Sequence, residues 1–427
     1  MEERYRLFGM QEFVINLTSG KDSCVVNPGG LHIRGPLDVK LLGKAVQKLV
    51  DKSDALRFVF SKDEETGEIY QSVLSSYKHE LDIREAQGDS YEEKLRFASE
   101  DIKQVMDEVG FLLDGDVKWK VVLYRIKEDE HVLWFIVNHI ISDGVSVANA
   151  LTRIVMSYNG IPIPPTGKFL DYIIEQYKLE TDPGCVKERS EFTRYLQSYN
   201  DPLDSAGIGS IEGAYHQVVS FELQGLKQFA KENKMSLFHV ALFLYHAAIS
   251  ATFKNGDSLI GVAVGVRKLK YMLSIGNCLT GFGDRIVFEA EDSMKAKAVV
   301  CKKQYLQESK KDCGMYNSFK EGILFSMAYQ NFSGGQKEIK LGKASAVPLD
   351  DYEGLISYKW KSLCFDVYEM EDEMAFLTGY DENIFTEEIM NRMRTAFIVA
   401  SECLTGEDMT FAEFCREVDR RDCGETL

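Results

Sequence analysis

The segment from Val132 to Val137 limits what this chain can fold into more than any other feature. Its six residues are all apolar, whereas a strand with one wet face alternates apolar and polar side chains. A strand pattern from Val117 to Ile126 precedes it, and the polar stretch Lys127 to Glu130 lies between them. We therefore predict a hairpin whose second strand is buried on both faces.

Helix and strand patterns alternate along both halves of the chain, which predicts an α/β or α+β fold. One helix is opened by Asp38 as its N-cap, and Val39, Leu42, Val46, Leu49 and Val50 recur on one face of it. The other predicted helices span residues 91–109, 145–158, 223–233, 237–253 and 386–404. The other predicted strands span residues 31–35, 55–60, 257–264, 323–329, 363–368 and 375–380.

A proline-rich stretch, Asn159 to Pro165, is the clearest connection between two parts of the chain. Three of the chain's eight prolines lie within it, and proline interrupts both helices and interior strands. We predict a boundary here, with a first lobe over residues 1–167 and a second over residues 168–427.

Charge and hydropathy exclude several classes of protein. The formal net charge is −17, which argues against binding nucleic acid or an anionic membrane through a basic face. The longest nearly apolar run, Ala241 to Phe253, is too short to span a bilayer. The residues after Met1 lack the apolar core of a secretion signal. We expect a soluble, cytoplasmic protein.

Nine cysteines are scattered along the chain without a C-x-x-C pair. An odd number at irregular spacing argues against a disulfide framework and against a zinc site. We expect reduced thiols and no metal ion.

His139 and Asp143 lie four residues apart where the buried strand ends and a helix begins. An imidazole ordinarily titrates near neutral pH and so is suited to proton transfer. Gly144 permits a tight backbone, and the amides at the start of the following helix can face an anion. A histidine and an aspartate at this spacing are common by chance, so the pair alone is a weak signal.

The wider segment from Val132 to Gly144 resembles the H-H-x-x-x-D-G signature of nonribosomal peptide synthetase condensation domains, at the end of a hydrophobic strand. Further matches follow in the family's order over nearly the whole chain. They are Leu31 to Asp38, like the family's strand-turn-helix opening; Asp54 to Arg57, like its E-A-L-R segment; Gly256 to Arg267, like its G-x-D-x-x-x-G-x-x-x-x-x-R stretch; Ile275 to Ile286, in the place of its I-G-x-x-x-N-T-L-P-L-R segment; and Phe365-Asp366 with Tyr380 to Phe385, like its C-terminal pattern.

The resemblance implies two chloramphenicol acetyltransferase-like lobes that form a V around a central tunnel. It implies substrates that arrive on the phosphopantetheine arms of carrier proteins, with no covalently bound cofactor. The chain contains neither a carrier-attachment pattern nor an adenylation signature, so we expect acyl or peptidyl carrier proteins to act in trans.

The resemblance also implies roles for individual residues. His139 is similar to the histidine that assists amine attack, and Asp143 to a structural aspartate that pairs with an arginine, for which Arg267 is the candidate. Arg57 resembles the arginine that faces the site from the first lobe. Asn138 stands where the signature has its first histidine, a position that supports structure, and Gly144 completes the motif. The segment Thr280 to Arg285 departs from the family and is expected to be a loop beside the tunnel.

We therefore expect a stand-alone acyltransferase that forms an amide bond in nonribosomal peptide or related natural-product biosynthesis. A hydroxyl acceptor, and hence an ester product, is open within the same class. Two alternatives are a catalytically silent condensation-like module that recruits a partner enzyme, and an O- or N-acyltransferase that uses acyl-CoA.

Two further groups have both a structural and a functional interpretation. His239 and His246 lie seven residues apart in an apolar helix; we expect them to be packed or locally hydrogen-bonded, with lining of the tunnel as the alternative. The basic run Arg267 to Lys270 is expected to be a solvated face, with contact to an acidic carrier protein or a phosphate as the alternative.

Overall fold

The computed structural model describes residues 3–16, 25–111, 113, 115–203, 210–212, 216–309, 324–331, 338–349, 358–360 and 362–423. Its strands, in chain order, are β1 Tyr5–Arg6, β2 Val26–Arg34, β3 Phe58–Lys62, β4 Ile69–Val73, β5 Asp82–Glu85, β6 Trp119–Lys127, β7 Glu130–Asn138, β8 Ser210–Glu212, β9 His216–Glu222, β10 Asp257–Gly265, β11 Leu279–Val287, β12 Phe325–Asn331, β13 Ile339–Leu341, β14 Ala344–Leu349, β15 Tyr358–Trp360, β16 Leu363–Glu369 and β17 Glu373–Thr378. Its α-helices are α1 Gly9–Asn16, α2 Val39–Lys52, α3 Tyr91–Gly110, α4 Gly144–Tyr158, α5 Phe169–Thr181, α6 Pro183–Gln197, α7 Leu223–Glu232, α8 Leu237–Thr252, α9 Met294–Glu308, α10 Glu387–Thr405 and α11 Phe411–Asp422.

The chain forms two compact units. Unit 1 comprises Met1–Asp182 together with two later segments, Gly265–Leu279 and Gln336–Leu355, and unit 2 comprises the rest. The boundary that we predicted at residue 167 therefore falls inside unit 1. The proline-rich connection does lack helix and strand, but α5 follows it within the same unit, and the Gly167 amide donates to the Lys270 carbonyl at 2.7 Å.

Unit 1 is built on a six-stranded sheet in the order β13-β14-β2-β7-β6-β5. The neighbours from β13 to β6 are antiparallel, and β5 runs parallel to β6. The predicted hairpin is present as β6 and β7, although β7 begins at Glu130, two residues before the apolar run.

The central strand β7 is buried on both faces, as the apolar run predicts. Val132, Trp134 and Ile136 pack into a core cluster with residues of α3, which covers one face. The alternating residues Leu133 and Phe135 point to the opposite face, where α4 contacts β2 and β7. This double burial holds the end of β7, and the residues that follow it, in a rigid frame.

The strand that we predicted over residues 55–60 is wrong at its start. Asp54–Arg57 is a 3-10 turn, and β3 begins only at Phe58. The turn is held by polar contacts that a hydrophobic pattern does not reveal. Asp54 accepts hydrogen bonds from the amides of Phe169 and Leu170, both at 2.9 Å.

Unit 2 contains a second six-stranded sheet, in the order β11-β10-β12-β16-β17-β9. The strands β10, β12 and β16 are parallel neighbours, and β17 and β9 continue the sheet in antiparallel pairing. The segment Thr280 to Arg285, which we expected to be a loop, lies inside β11. A Cβ at Gly283 would lie 2.8 Å from Leu196 and 2.9 Å from Leu259, so glycine there permits close packing on the strand.

The apolar helix α8 lies in the core of unit 2, and its residues from Val240 to Thr252 are all buried. No single helix in the described part of the chain is long and apolar enough to cross a membrane; α7 and α8 pass that test only as a pair, bent by 105°. The described cysteines are free thiols, namely Cys185, Cys278, Cys301, Cys364, Cys403, Cys415 and Cys423.

Candidate active site

The motif residues follow one another directly from β7 into α4, all within unit 1. Asn138 is the last residue of β7, His139–Ile141 form one 3-10 turn, and Asp143 is the N-cap of α4. The helix thus begins at Gly144, one residue before the predicted start. Hydrogen bonds formed by the side chains of Asn138, His139 and Asp143 fix the path of the chain between β7 and α4.

Asn138 is fully buried and ties this turn to the end of α3. Its Oδ1 accepts a hydrogen bond from the Ile140 amide at 2.9 Å. Its Nδ2 donates to the carbonyls of Val109 and Gly110 at 3.1 and 3.3 Å. Those two carbonyls end α3 and lack partners within the helix. An asparagine side chain supplies the donor and the acceptor that this position requires.

His139 is half-buried, and its ring is oriented by the main chain of the same turn. Nδ1 lies 2.7 Å from the Ser142 carbonyl oxygen, which can only accept, so Nδ1 carries the proton in the neutral ring. The lone pair then resides on Nε2, which forms no hydrogen bond with the described part of the chain. The main chain of His139 is held at both ends, by Val25 O at 2.8 Å and by Asn277 Nδ2 at 2.9 Å.

Asp143 is buried, with only 1% of its surface exposed, and both carboxylate oxygens are satisfied. Oδ1 accepts from the amide and hydroxyl of Ser146, both at 2.8 Å, and from Arg267 Nη2 at 2.6 Å. Oδ2 accepts from the Cys278 amide at 3.0 Å. No hydrogen bond joins Asp143 to His139 in the described structure, so this carboxylate does not orient the imidazole directly.

The structure brings Arg267 onto Asp143 from the segment Gly265–Leu279 that returns to unit 1. Besides Asp143, the guanidinium contacts the Ser146 hydroxyl and the carbonyls of Tyr271, Ser274 and Gly276, at 2.8 to 3.0 Å. Its side chain is 5% exposed. Because the buried guanidinium of Arg267 binds all of these acceptors at once, it cross-links the motif to the returning segment.

The Cys278 thiol lies in the same returning segment, next to the amide that binds Asp143. Burial raises the pKa of Cys278 to about 12, although nearby Arg267 opposes the shift. A thiol in this state stays protonated at neutral pH and is a poor nucleophile. The site therefore offers an imidazole for proton transfer but no thiolate for covalent catalysis.

The structure does not bring Arg57 to the motif. Its Nε donates to Leu74 O at 3.0 Å, and its Nη1 donates to Val50 O at 2.7 Å. Weaker contacts from Nη1 reach the carbonyls of Asp51 and Ser53. The guanidinium thus caps the carboxyl end of α2, and no hydrogen bond joins it to the motif in the described structure, so the role that the resemblance implies for Arg57 stays a prediction.

Sequence reasoning missed two residues of this network, Ser146 and Asn277. Ser146 forms a reciprocal capping box with Asp143, and the spacing of a capping residue and its partner three positions later was readable in the sequence. Asn277 gave no such signal, because its partner, the His139 carbonyl, lies 138 positions away along the chain. A third contributor, Gln11 of α1, donates to the Ile140 carbonyl at 3.2 Å.

The first residues of α4 provide hydrogen-bond donors in addition to the imidazole. Gly144 and Val145 are exposed, and their amides form no hydrogen bond with the described chain. Amides at a helix start carry partial positive charge and favour an anion. The motif thus combines an imidazole nitrogen that can accept a proton with amides that can stabilise a developing negative charge.

The two lysines of the basic run after Arg267 share one carboxylate within unit 1. Lys268 Nζ lies 3.1 Å from Glu175 Oε2, and Lys270 bonds to the other oxygen of the same carboxylate. The Tyr271 hydroxyl also donates to it, at 2.9 Å. The half-exposed lysines agree with the solvated face that we predicted, and their pairing with Glu175 reduces the charge free for the alternative, contact with an acidic carrier protein or a phosphate.

Comparisons with known proteins agree on one family. A family model described as Condensation domain matches residues 1–275. The chain is 28% identical over 253 residues to surfactin synthase subunit 1 of Bacillus subtilis (strain 168), which covers 56% of this chain and 7% of that protein. It is 22% identical over 430 residues to gramicidin S synthase 2 of Brevibacillus brevis, which covers 95% of this chain and 9% of that protein.

The chain therefore spans less than a tenth of the length of these two synthetases. Among solved structures, the first condensation domain of the calcium-dependent antibiotic synthetase, in complex with a substrate analogue, superposes with a TM-score of 0.72 at 14% identity. The match covers 96% of this chain and 98% of that domain. The predicted mixed helix and strand fold is confirmed by this likeness.

Proposed function

This chain belongs to the condensation domain family, and from that premise we propose that it transfers an acyl group from a carrier-bound thioester to an amine. The product is an amide in nonribosomal peptide or related natural-product biosynthesis, and the carriers are separate proteins that act in trans. The phosphopantetheine arm of each carrier presents the reacting group. One observation carries the proposal, namely the 2.7 Å contact between Nδ1 and the Ser142 carbonyl, which leaves the lone pair of His139 on Nε2.

The proposed reaction forms a C–N bond and breaks a C–S bond. The amine nitrogen attacks the thioester carbonyl carbon, and a tetrahedral intermediate with a negative oxygen forms. His139 Nε2 accepts the proton that the nitrogen loses, and the same proton then goes to the departing thiolate. Proton transfer of this kind contributes about 10²–10⁴-fold in rate, and holding both substrates in place contributes more.

The amides of Gly144 and Val145 are the proposed donors to the negative oxygen of the intermediate. Both start α4, where the helix dipole is positive, and both are exposed. No covalent acyl-enzyme is needed, which agrees with the buried and protonated Cys278 thiol. In this scheme Asp143 and Arg267 hold the start of α4 in place and do not touch substrate.

The test is turnover with separately prepared acyl-loaded carriers and a panel of amines, with product masses read by mass spectrometry. His139→Ala should lose about 10²-fold or more of the rate, while its unfolding transition stays where it is. His216→Ala, a change at an exposed histidine in unit 2, should retain full activity. Wild-type turnover in the His139 variant would refute the assignment of the base.

The alternative functions give different outcomes in the same assay. Turnover that proceeds with acyl-CoA and needs no carrier would identify an acyl-CoA-dependent acyltransferase. An ester product with a hydroxyl acceptor would keep the mechanism and change the substrate. Binding of loaded carriers without turnover of any amine or hydroxyl compound would identify a silent recruitment module.

A further inference from the structure

Four polar side chains meet in the core of unit 2, outside the site described above. His246 lies on α8, Asp284 on β11, Cys301 on α9 and Ser258 on β10. His246, Ser258 and Asp284 are fully buried, and Cys301 is 1% exposed. Polar groups are placed in an apolar core at a cost unless they satisfy one another or bind something. The acyl-transfer chemistry proposed above uses none of them.

The potential ligand atoms lie at the spacing of a tetrahedral metal site. His246 Nε2 is 3.2 Å from Asp284 Oδ2, and Cys301 Sγ is 3.7 Å from the same oxygen. All three ligand atoms lie within 4.8 Å of one another. Tetrahedral zinc with bonds of about 2.0 Å to nitrogen and oxygen and about 2.3 Å to sulfur places such ligands about 3.3–3.6 Å apart. The two measured distances lie about 0.1 Å outside the two ends of this range, so only small shifts of the side chains are needed to complete the geometry.

No lysine or arginine of the described chain forms an ion pair with this group of side chains. Within the described chain, the one ion-pair contact of Asp284 is with His246. Its second oxygen, Oδ1, is buried and has no hydrogen-bond partner. A buried carboxylate is strongly destabilised unless a cation or several donors offset its charge. The unpaired oxygen thus indicates a binding position for a cation.

Ser258 completes the arrangement from behind the histidine. Its Oγ lies 2.7 Å from His246 Nδ1, and its hydroxyl also approaches the Ile286 carbonyl at 3.5 Å. When the serine hydroxyl donates to that carbonyl, its oxygen accepts the Nδ1 proton, and the lone pair of His246 lies on Nε2, facing Asp284. Histidines that bind a metal commonly have their second ring nitrogen fixed in this way.

We propose that His246, Asp284 and Cys301 bind one zinc ion as a structural site in unit 2. A thiolate, an imidazole and a carboxylate together form a ligand set that favours zinc over magnesium or calcium. Asp284 is a ligand through Oδ2; Oδ1, which has no other hydrogen-bond partner, lies too close to Oδ2 to fill a second corner of a tetrahedron and adds only a longer contact to the ion. The fourth corner is left to a small ligand such as water. The ion joins β11, α8 and α9. The three ligands come from three distant segments, so cysteine spacing alone predicted no site.

The metal content of the purified full chain tests this directly. After growth with added zinc and removal of loose metal, elemental analysis should find about one zinc ion per chain. X-ray absorption at the zinc edge should show a first shell with one sulfur and nitrogen or oxygen neighbours. Chelation should lower the midpoint of thermal unfolding, and added zinc should restore it. A chain that contains no zinc and neither binds nor is stabilised by added zinc would overturn the proposal.

Variants separate this site from adventitious binding by other thiols. Cys301→Ala should lose the bound zinc, whereas Cys403→Ala, at an equally buried cysteine of α10 in the same unit, should keep it. Ser258→Ala should weaken zinc binding about 10–100-fold without removing it. Zinc retained by the Cys301 variant would place the ion elsewhere and refute this site. The absorption spectrum of the unaltered chain decides the ligand set even if a variant fails to fold.

Discussion

Arg267 Nη2 lies 2.6 Å from Asp143 Oδ1, although 124 positions of the chain separate the two residues. The same guanidinium binds carbonyls of Tyr271, Ser274 and Gly276. The returning segment is therefore fastened to the N-cap of α4 by Arg267 and also by the Cys278 amide. Because His139 lies in the turn that leads to this point, the position of the imidazole depends on a part of the chain far away in sequence.

Replacing Arg267 with Met should destabilise unit 1 by about 3–5 kcal/mol, the range for breaking one side of a buried ion pair. Asp143 would keep its bonds to Ser146 and Cys278 but lose the one positive partner that it has in the described part of the chain. Urea denaturation followed by tryptophan fluorescence measures this, since Trp119 and Trp134 both lie in unit 1.

The matched control is Arg125→Met, which breaks the exposed pair between Arg125 and Glu85. A surface pair of that kind contributes about 0–1 kcal/mol. If both variants lose the same free energy of unfolding, the Arg267–Asp143 pair contributes no more to stability than a surface pair.

The hairpin, the helices next to it and the motif were predictable because each depends on neighbours in sequence. The burial of most of β6 and of both faces of β7 follows from their apolar side chains, and the start of α2 follows from Asp38, which accepts from the Leu41 amide. The pairing of Asp143 with Arg267 came from the family resemblance and not from any periodic pattern.

Features that depend on contacts between distant segments were not predictable. The 3-10 turn at Asp54 exists because two amides at the start of α5 need an acceptor. The start of β11 was mistaken for a loop because the family resemblance placed a loop there, whereas Gly283 lies within the strand and permits close packing against Leu196 and Leu259. The role of Asn277 depends on a main-chain carbonyl of the motif, and no pattern of side chains in the sequence indicates such a partner.

Replacing Asn138 with Asp should destabilise the protein by at least about 1–3 kcal/mol, the range for leaving buried groups unpaired. The new carboxylate could still accept from the Ile140 amide, but it would face the carbonyls of Val109 and Gly110 without a proton to donate. Those carbonyls form the negative end of α3, which adds repulsion. Urea denaturation at neutral pH measures the loss.

Asn255→Asp serves as the control for this change. Asn255 uses its side-chain oxygen to accept from the Asp257 amide at 3.1 Å, and a carboxylate can do the same. If Asn138→Asp is no more harmful than this control, the donor function of Asn138 is unimportant.

Replacing Glu175 with Gln should reduce stability at neutral pH by about 1 kcal/mol, since its lysine partners are half-exposed. Burial favours the neutral acid, but hydrogen bonds from Lys270, Lys268 and Tyr271 outweigh it and lower the pKa of Glu175 from 4.5 to about 2. A lowered pKa means that the stabilisation is complete above the unfolded value of 4.5 and is lost as the pH falls toward about 2.

The difference in free energy of unfolding between the wild type and Glu175→Gln should therefore shrink as the pH is lowered from neutral to about 3. Chemical denaturation at a series of pH values measures it, with Glu100→Gln, at an exposed position of α3, as the control. A difference that stays constant or grows on acidification would contradict the predicted ionic role.

Replacing Gly276 with Ala should destabilise unit 1 and disturb the motif through the returning segment. A Cβ at this position would lie 2.2 Å from Phe169 Cδ2, and that ring is held in place by Phe8, Phe58 and Tyr172. Since neither the ring nor the backbone can move freely, the loss in free energy of unfolding should reach or exceed about 1–3 kcal/mol, the range typical of overpacking.

Gly265→Ala, where a Cβ would meet nothing within 4 Å, is the control in the same segment. Urea denaturation compares the two, and the acyl-transfer assay follows the motif, because the Gly276 amide and carbonyl bind Ser146 Oγ and Arg267. Equal stability of both variants would show that the Phe169 ring yields, and that the returning segment tolerates displacement.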